Sequence, residues 1–190
     1  MNNLIKPSVA IAAMSMLAIG AFAQGSKANT VTVGGEPMYP MKNIIENAVN
    51  SKDHTTLVAA VKAAGLVETL QGTGPFTVLA PTNNAFNALP AGTVDGLLKP
   101  EAKGALTTIL TYHVLAGSYD MKALRAAITK AGGMAKMKTV TGQELTFSMN
   151  GPNNILVWDV TGAYANISTY DVMQSNGVIH VIDRVLMPKM

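Results

Sequence analysis

Cysteine is absent from all 190 residues. No disulfide can form, so the core has to suffice alone. Charge is also scarce, at 13% of residues against 48% hydrophobic, which favours a packed globule over a disordered chain. The basic residues are scattered (Lys42, Lys52, Lys62, Lys99, Lys103, Lys122, Arg125), with one small group at Lys136 and Lys138. Nucleic-acid binding needs a clustered basic stripe with interleaved aromatics, and aromatics make up only 5% of the chain. Motifs of catalysis are missing too. His54, His113 and His180 lie far apart, and the chain has no His-Glu-x-x-His string, no Gly-x-Ser-x-Gly elbow, no P-loop and no dinucleotide fingerprint. Nothing in it supports an enzyme, and no cofactor is implied.

The longest apolar run, Val9 to Ile19, is too short to span a bilayer. It follows a positive Lys6 and precedes Ala21-Phe22-Ala23, which offers small residues where a signal peptidase reads them. Residues 1–23 therefore read as a signal peptide cleaved before Gln24. The lack of a cysteine after the run excludes lipid attachment there. The expectation is a periplasmic or secreted protein with no stable membrane insertion once the leader is gone. About 167 residues then remain, one ordinary domain. The formal charge of +3 falls by one unit as Lys6 leaves.

Residues 24–40 read as a tether or peripheral strand, with a short Val31-Thr32-Val33 stretch, and residues 41–190 as the domain. Ile44, Ile45, Ala48 and Val49 repeat at helix spacing. Asp53 is placed to cap a second helix with Leu57, Val61 and Ala64 on one side, stopped by Gly65. Phe76 to Ala80 reads as a strand ended by Pro81, and Thr82 as the N-cap of a helix over Asn83–Leu89. Pro100 fits the first turn of a helix carrying Leu106, Ile109, Leu110 and His113 and running to Gly117. Ser118 or Asp120 caps another, closed by Gly132-Gly133. From there the period changes. Leu145, Phe147 and Met149 alternate with polar residues, Ile155 to Val160 follows as a strand, and Val178 to Leu186 is apolar on both faces, as a central strand would be. Helices followed by strands predict an α+β fold.

Two ordered segments stand out: Gly74-Pro75-Phe76-Thr77-Val78-Leu79-Ala80-Pro81-Thr82-Asn83-Asn84-Ala85-Phe86, and Asn176-Gly177-Val178-Ile179-His180-Val181-Ile182-Asp183-Arg184-Val185-Leu186-Met187-Pro188, with Tyr112-His113 between them. This arrangement resembles the fasciclin-type domain over Met41 to Pro188. The resemblance implies a wedge-shaped β-sandwich with several helices packed on one side. It also implies a non-enzymatic, extracytoplasmic binding module of the cell surface, periplasm or matrix, whose partner is a surface or matrix protein or a polysaccharide.

The resemblance carries two candidate partner-binding segments. Tyr112 and His113, with Leu110 and Val114-Leu115 beside them, match a pair linked to receptor binding in animal members. Asp171, Val172 and Met173 align with an Asp-Ile adhesion site before the final strand, Val172 standing where that site has Ile. Each has a plainer reading. His113 lies on the apolar face of its helix and suits a buried, hydrogen-bonded imidazole. Asp171 suits a loop residue that turns or caps the chain. If it does not, the lack of a cation near it in sequence leaves its charge free for a partner.

The alternative class is a periplasmic small-ligand or copper-binding protein. Met38-x-x-Met41 and Met134-x-x-Met137 are soft-ligand pairs of the kind Cu(I) takes, although methionine more often fills gaps, and no metal site is assigned. Adhesion predicts an exposed patch around Asp171 and Tyr112 without a deep pocket, whereas a ligand site predicts an apolar concavity. Asn166-Ile167-Ser168 is a glycosylation sequon, incidental in a bacterial chain, which the compact leader suggests.

Overall fold

The expected two-faced strands organise the architecture. The computed structural model describes residues 30–190, so the expected leader lies outside the described residues. A hairpin of β1 (Val31–Val33) and β2 (Glu36–Met38) comes first, turning at Gly34-Gly35. Gly34 has φ +61, and a Cβ there would strike Ser51 and the backbone of Lys52 and Asp53. Val33 and Met38 are buried in the core, so the packed body begins ahead of Met41.

The helical layer holds α1 (Ile44–Ala48), α2 (Thr55–Ala64), α3 (Val67–Gln71), α4 (Asn83–Asn87), α5 (Thr93–Leu97) and α6 (Lys103–Tyr112). Asn43 caps α1 in a reciprocal capping box with Glu46. Thr82 caps α4 as expected, its hydroxyl accepting from Ala85 N–H at 3.3 Å. Asp53 does not cap α2. It lies inside a 3₁₀ turn, Lys52–His54, and the N-cap position falls to His54 without a side-chain bond. Gly65 ends α2 at φ +73, the left-handed conformation that glycine adopts without strain.

Seven strands form one sheet in the order β4-β3-β9-β8-β7-β6-β5. They are β3 (Phe76–Pro81), β4 (Val114–Ala116), β5 (Met134–Lys138), β6 (Glu144–Asn150), β7 (Asn154–Trp158), β8 (Tyr164–Gln174) and β9 (Gly177–Ile182). Among the described strands only β3 and β9 pair in parallel. Helix α7 (Met121–Lys130), capped by Asp120, lies between β4 and β5 in sequence. A bridge between Leu115 and Thr139, with Val140 N–H donating to Val114 O, brings the sheet ends together and nearly closes a barrel. The α+β architecture with helices against a folded sheet is the one the sequence predicts. Three strands of this sheet were not expected: β4, where the α6 helix was to continue to Gly117, β5, and most of β8.

Two hydrophobic cores result. One fills the near-barrel, with side chains from all seven strands and from α7, including Leu79, Leu115, Leu124, Leu145, Phe147, Val157, Ile167 and Ile182. The other lies between the outer face of β3–β9 and the helices, with Val78, Ala80, Ile179 and Val181 meeting Ile44, Leu57, Val61 and Leu110. Strands β3 and β9 thus bury both faces, which explains their unbroken apolar sequences.

The two signature segments meet at one point. Phe76 N–H donates to Asn176 O at 3.0 Å, and Phe76 pairs with Gly177. A Cβ on Gly177 would collide with the Phe76 backbone, and one on Gly74 with that of Asn176. The Asn176 side chain accepts from Ile44 N–H (3.0 Å) and donates to Leu70 O (2.8 Å) and Gly72 O (2.9 Å). One buried amide thereby ties α1 and α3 to the central strands.

Candidate functional site

Strand β8 begins against one core and ends against the other. Ile167 is buried in the barrel and Val172 among the helices. Register shifts between Ile167 and Thr169, and between Thr169 and Val172, make the change possible. Asp171 stands at the second irregularity with φ 54, the only positive-φ residue other than glycine among those described. Aspartate tolerates that conformation better than most residues.

Asp171 is therefore a bulge residue of a strand and not a loop residue, and its carboxylate is not free. Its Oδ1 accepts from Met121 N–H at 2.6 Å, at the start of α7, beside the Asp120 cap that accepts from Ala123 N–H at 2.7 Å. A helix N-terminus favours negative charge. The Asp171 N–H donates to His180 Nδ1 (3.3 Å), and His180 Nε2–H donates to Tyr119 O (2.8 Å). These bonds specify a neutral imidazole, and burial holds the His180 pKa below its ordinary value. Tyr170 lies edge-on to His180 and accepts from Ile155 N–H.

The rest of the predicted segment divides. Val172 is 1% exposed and belongs to the core, whereas Met173 is 43% exposed. Tyr112 and His113 are both buried. The Tyr112 hydroxyl donates to Glu144 O (3.0 Å) and accepts from Val160 N–H (3.1 Å), and burial pushes its pKa up to about 12. His113 donates from Nδ1–H to Ile109 O (2.8 Å) and accepts at Nε2 from Leu186 N–H (3.0 Å). Burial brings its pKa down to about 4. In this conformation a partner does not meet Tyr112, His113 or Val172 directly.

Sequence reasoning missed an exposed cluster beside Met173. Ser175 N–H donates to Lys42 O at 2.9 Å, and buried Asn47 bonds both Tyr39 and Gln174. The segment Tyr39–Lys42 is thus strapped to the end of β8. Tyr39 (39% exposed), Met41 (77%) and Met173 share this end of the molecule, and the Lys42 ammonium lies 5.1 Å from the centre of the Tyr39 ring. Asn47 and Asn176 read only as polar residues in sequence, and no periodicity marks a buried amide.

An apolar cavity of about 140 Å³ lies in the helical core, among α1, α2, α3 and the outer face of β3. His113 and Val172 both line it, as does Met38. Its wall includes His54, whose Nδ1 bonds Ser51 Oγ (2.8 Å) and whose Nε2 has no hydrogen-bond partner, although the Ala80 carbonyl opposes the pKa-lowering effect of burial. An apolar concavity is thus present, as expected of a ligand site and not of a purely adhesive module. The methionine pairs do not converge. Met38 is buried while Met41 is exposed, and Met134 is exposed while Met137 packs on the barrel core.

Comparison with known proteins adds family information. The fasciclin domain model matches residues 52–188. The chain is 48% identical over 147 residues to protein sll1483 of Synechocystis, covering 77% of this chain and 74% of that one. It is 36% identical over 146 residues to the immunogenic protein MPB70 of Mycobacterium bovis (74% and 66% covered), and 36% over 149 residues to the transforming growth factor-beta-induced protein ig-h3 of Sus scrofa (78% and 20%). Among solved structures, a FAS1 domain pair from the insect cell adhesion molecule Fasciclin I superposes with a TM-score of 0.68 at 20% identity, over 78% of this chain and 51% of that one. That likeness bears on the fold.

Proposed function

The chain belongs to the fasciclin domain family, and we propose that it is a non-enzymatic extracytoplasmic binding module that adheres to a surface or matrix protein or polysaccharide. The family is generally non-catalytic. The leader-like residues 1–23 favour a periplasmic or secreted location, and no helix among the described residues is long and apolar enough to cross a membrane. The observation that carries the reading is the exposure of Tyr39, Met41 and Met173 on two segments that the Ser175–Lys42 backbone bond joins at the end of β8. Tyrosine and methionine are enriched at recognition surfaces, and exposed apolar groups gathered together mark contact sites. Asp171 and Val172 precede Met173 on β8, the first bonded to the start of α7 and the second buried in the helical core. Tyr112 and His113 act through the framework and not by contact.

The test is capture from envelope extract on the immobilised purified chain. Met173→Glu combined with Met41→Glu should abolish recovery of the partner while leaving the circular dichroism spectrum unchanged. Undiminished recovery on the double variant overturns this surface.

A further inference from the structure

The cavity is lined by His54, at the N-cap of α2, and by Leu57, Val58, Val61 and Lys62 of α2 itself. Their spacing is one continuous helix face. Its middle is apolar, and its two ends are chemically distinct. At one end His54 is 3% exposed and carries the single unpartnered buried side-chain nitrogen or oxygen among the described residues. At the other, exposed Lys62 reaches the cavity wall and makes no ion pair; the ion pairs among the described residues are Lys52–Glu36 and Lys136–Glu144. Lys103 adds a second cation beside the C-terminus of α2, where its ammonium lies close to Gly65. Glu68, on the neighbouring α3, is exposed and not part of the lining.

We propose that this cavity binds a small amphiphilic carboxylate, its apolar body enclosed between α2 and β3 and its carboxylate at Lys62. The volume sets the size of the body. A cavity of about 150 Å³ accepts benzene, so this one accepts a single aromatic ring or a short acyl chain. The walls set its polarity, being mainly apolar side chains with the imidazoles of His54 and His113 among them. The charge follows from Lys62 and Lys103, both cationic and both at the same end. This inference rests on a different observation from the adhesive reading, and the two can fail separately.

The experiment is an amide NMR titration of the purified chain with 3-phenylpropanoate and, in parallel, with its neutral amide 3-phenylpropanamide. The acid should shift resonances of α2 saturably and bind more tightly than the amide by up to about fivefold, the most an exposed ion pair supplies. Lys62→Glu should erase that preference without changing the affinity for the amide. Val58→Phe, or Ala48→Leu from α1, fills the void and should abolish both titrations in a protein that melts no lower than wild type. No saturable shift with either compound, equal affinity for both, or binding that survives in whichever filled variant folds would overturn the proposal.

Discussion

The two cores are built from similar residues but are sealed to different degrees. In the barrel core Leu79, Leu115, Leu145, Phe147, Ile155 and Val157 are fully buried, and the Tyr112 hydroxyl has both a donor and an acceptor partner. In the helical core the same β3 and β9 strands face short helices, and the packing leaves a cavity and an unpartnered His54 nitrogen. Seven strands closing on themselves impose spacing on every side chain they enclose. Helices of five to ten residues do not interlock with a sheet so completely. The sealed core supplies stability, and the looser one is where the fold has room for a ligand.

Matched truncations test this contrast and give the largest expected effects. Leu145→Ala removes a side chain from the sealed core with no room to collapse, and about 4 kcal/mol should be lost. Leu57→Ala enlarges a void that already exists, where fewer contacts are lost, and should fall near the lower end of the range, about 2–3 kcal/mol. Urea melts of the two variants decide the matter. Equal losses would mean that the cores do not differ in packing.

Proton linkage gives a second, slightly smaller effect, located at the seam. His113 joins the cores, with Ile109 of the helical cluster on one nitrogen and Leu186 of the barrel cluster on the other. Its folded pKa is about 4 against an ordinary 6.5, because burial disfavours the cation. Below pH 6.5 the unfolded chain binds a proton that the folded one refuses, so stability falls as the pH drops from 6.5 to 4 and this loss levels off below that. The full loss from His113 is about 3 kcal/mol. His54 and His180 are shifted in the same direction and add to it. Chemical denaturation at pH 7 and pH 4, with imidazole titration followed by NMR, checks the assignment. A folded His113 that titrates near its ordinary pKa would remove this link between the cores.

Much of this arrangement was legible in the sequence, and the failures share a physical cause. Strands β3 and β9 were readable because both faces are buried, and α4 and α7 because Thr82 and Asp120 are good caps. Strand β8 was not, because its bulges shift its phase. Ala165 and Ile167 are buried at odd positions, Val172 and Gln174 at even ones, and a strict alternation cannot fit both. In β5, Met134 and Met137 read as soft ligands and Lys136 and Lys138 as surface charge. In β4 only three residues follow directly on a helix, too few to break its pattern. The candidate site suffered from the same limits. Tyr112, His113 and Val172 were placed by resemblance, which carries no burial, while the Tyr39 segment is tied to the end of β8 by the Asn47–Gln174 bond, whose partners lie 127 residues apart in sequence.

The smallest expected effect concerns the residue at the crossing between the two regions. Asp171 lets β8 leave the barrel and enter the helical side, holding φ 54 while its carboxylate receives the first N–H of α7. Asp171→Ala loses the acceptor and places an ordinary side chain in a left-handed conformation. The two costs together come to about 1–2 kcal/mol. Asp171→Asn keeps an acceptor oxygen and tolerates the same φ, so it should lose less than half of that. Thermal melts of both variants, read beside partner capture, separate support from recognition. If Ala melts well below Asn and capture follows the folded fraction, Asp171 serves the framework that presents Met173. If both variants melt like wild type and capture still fails, the carboxylate is itself the contact, and the bond to Met121 is dispensable for holding α7 against β8.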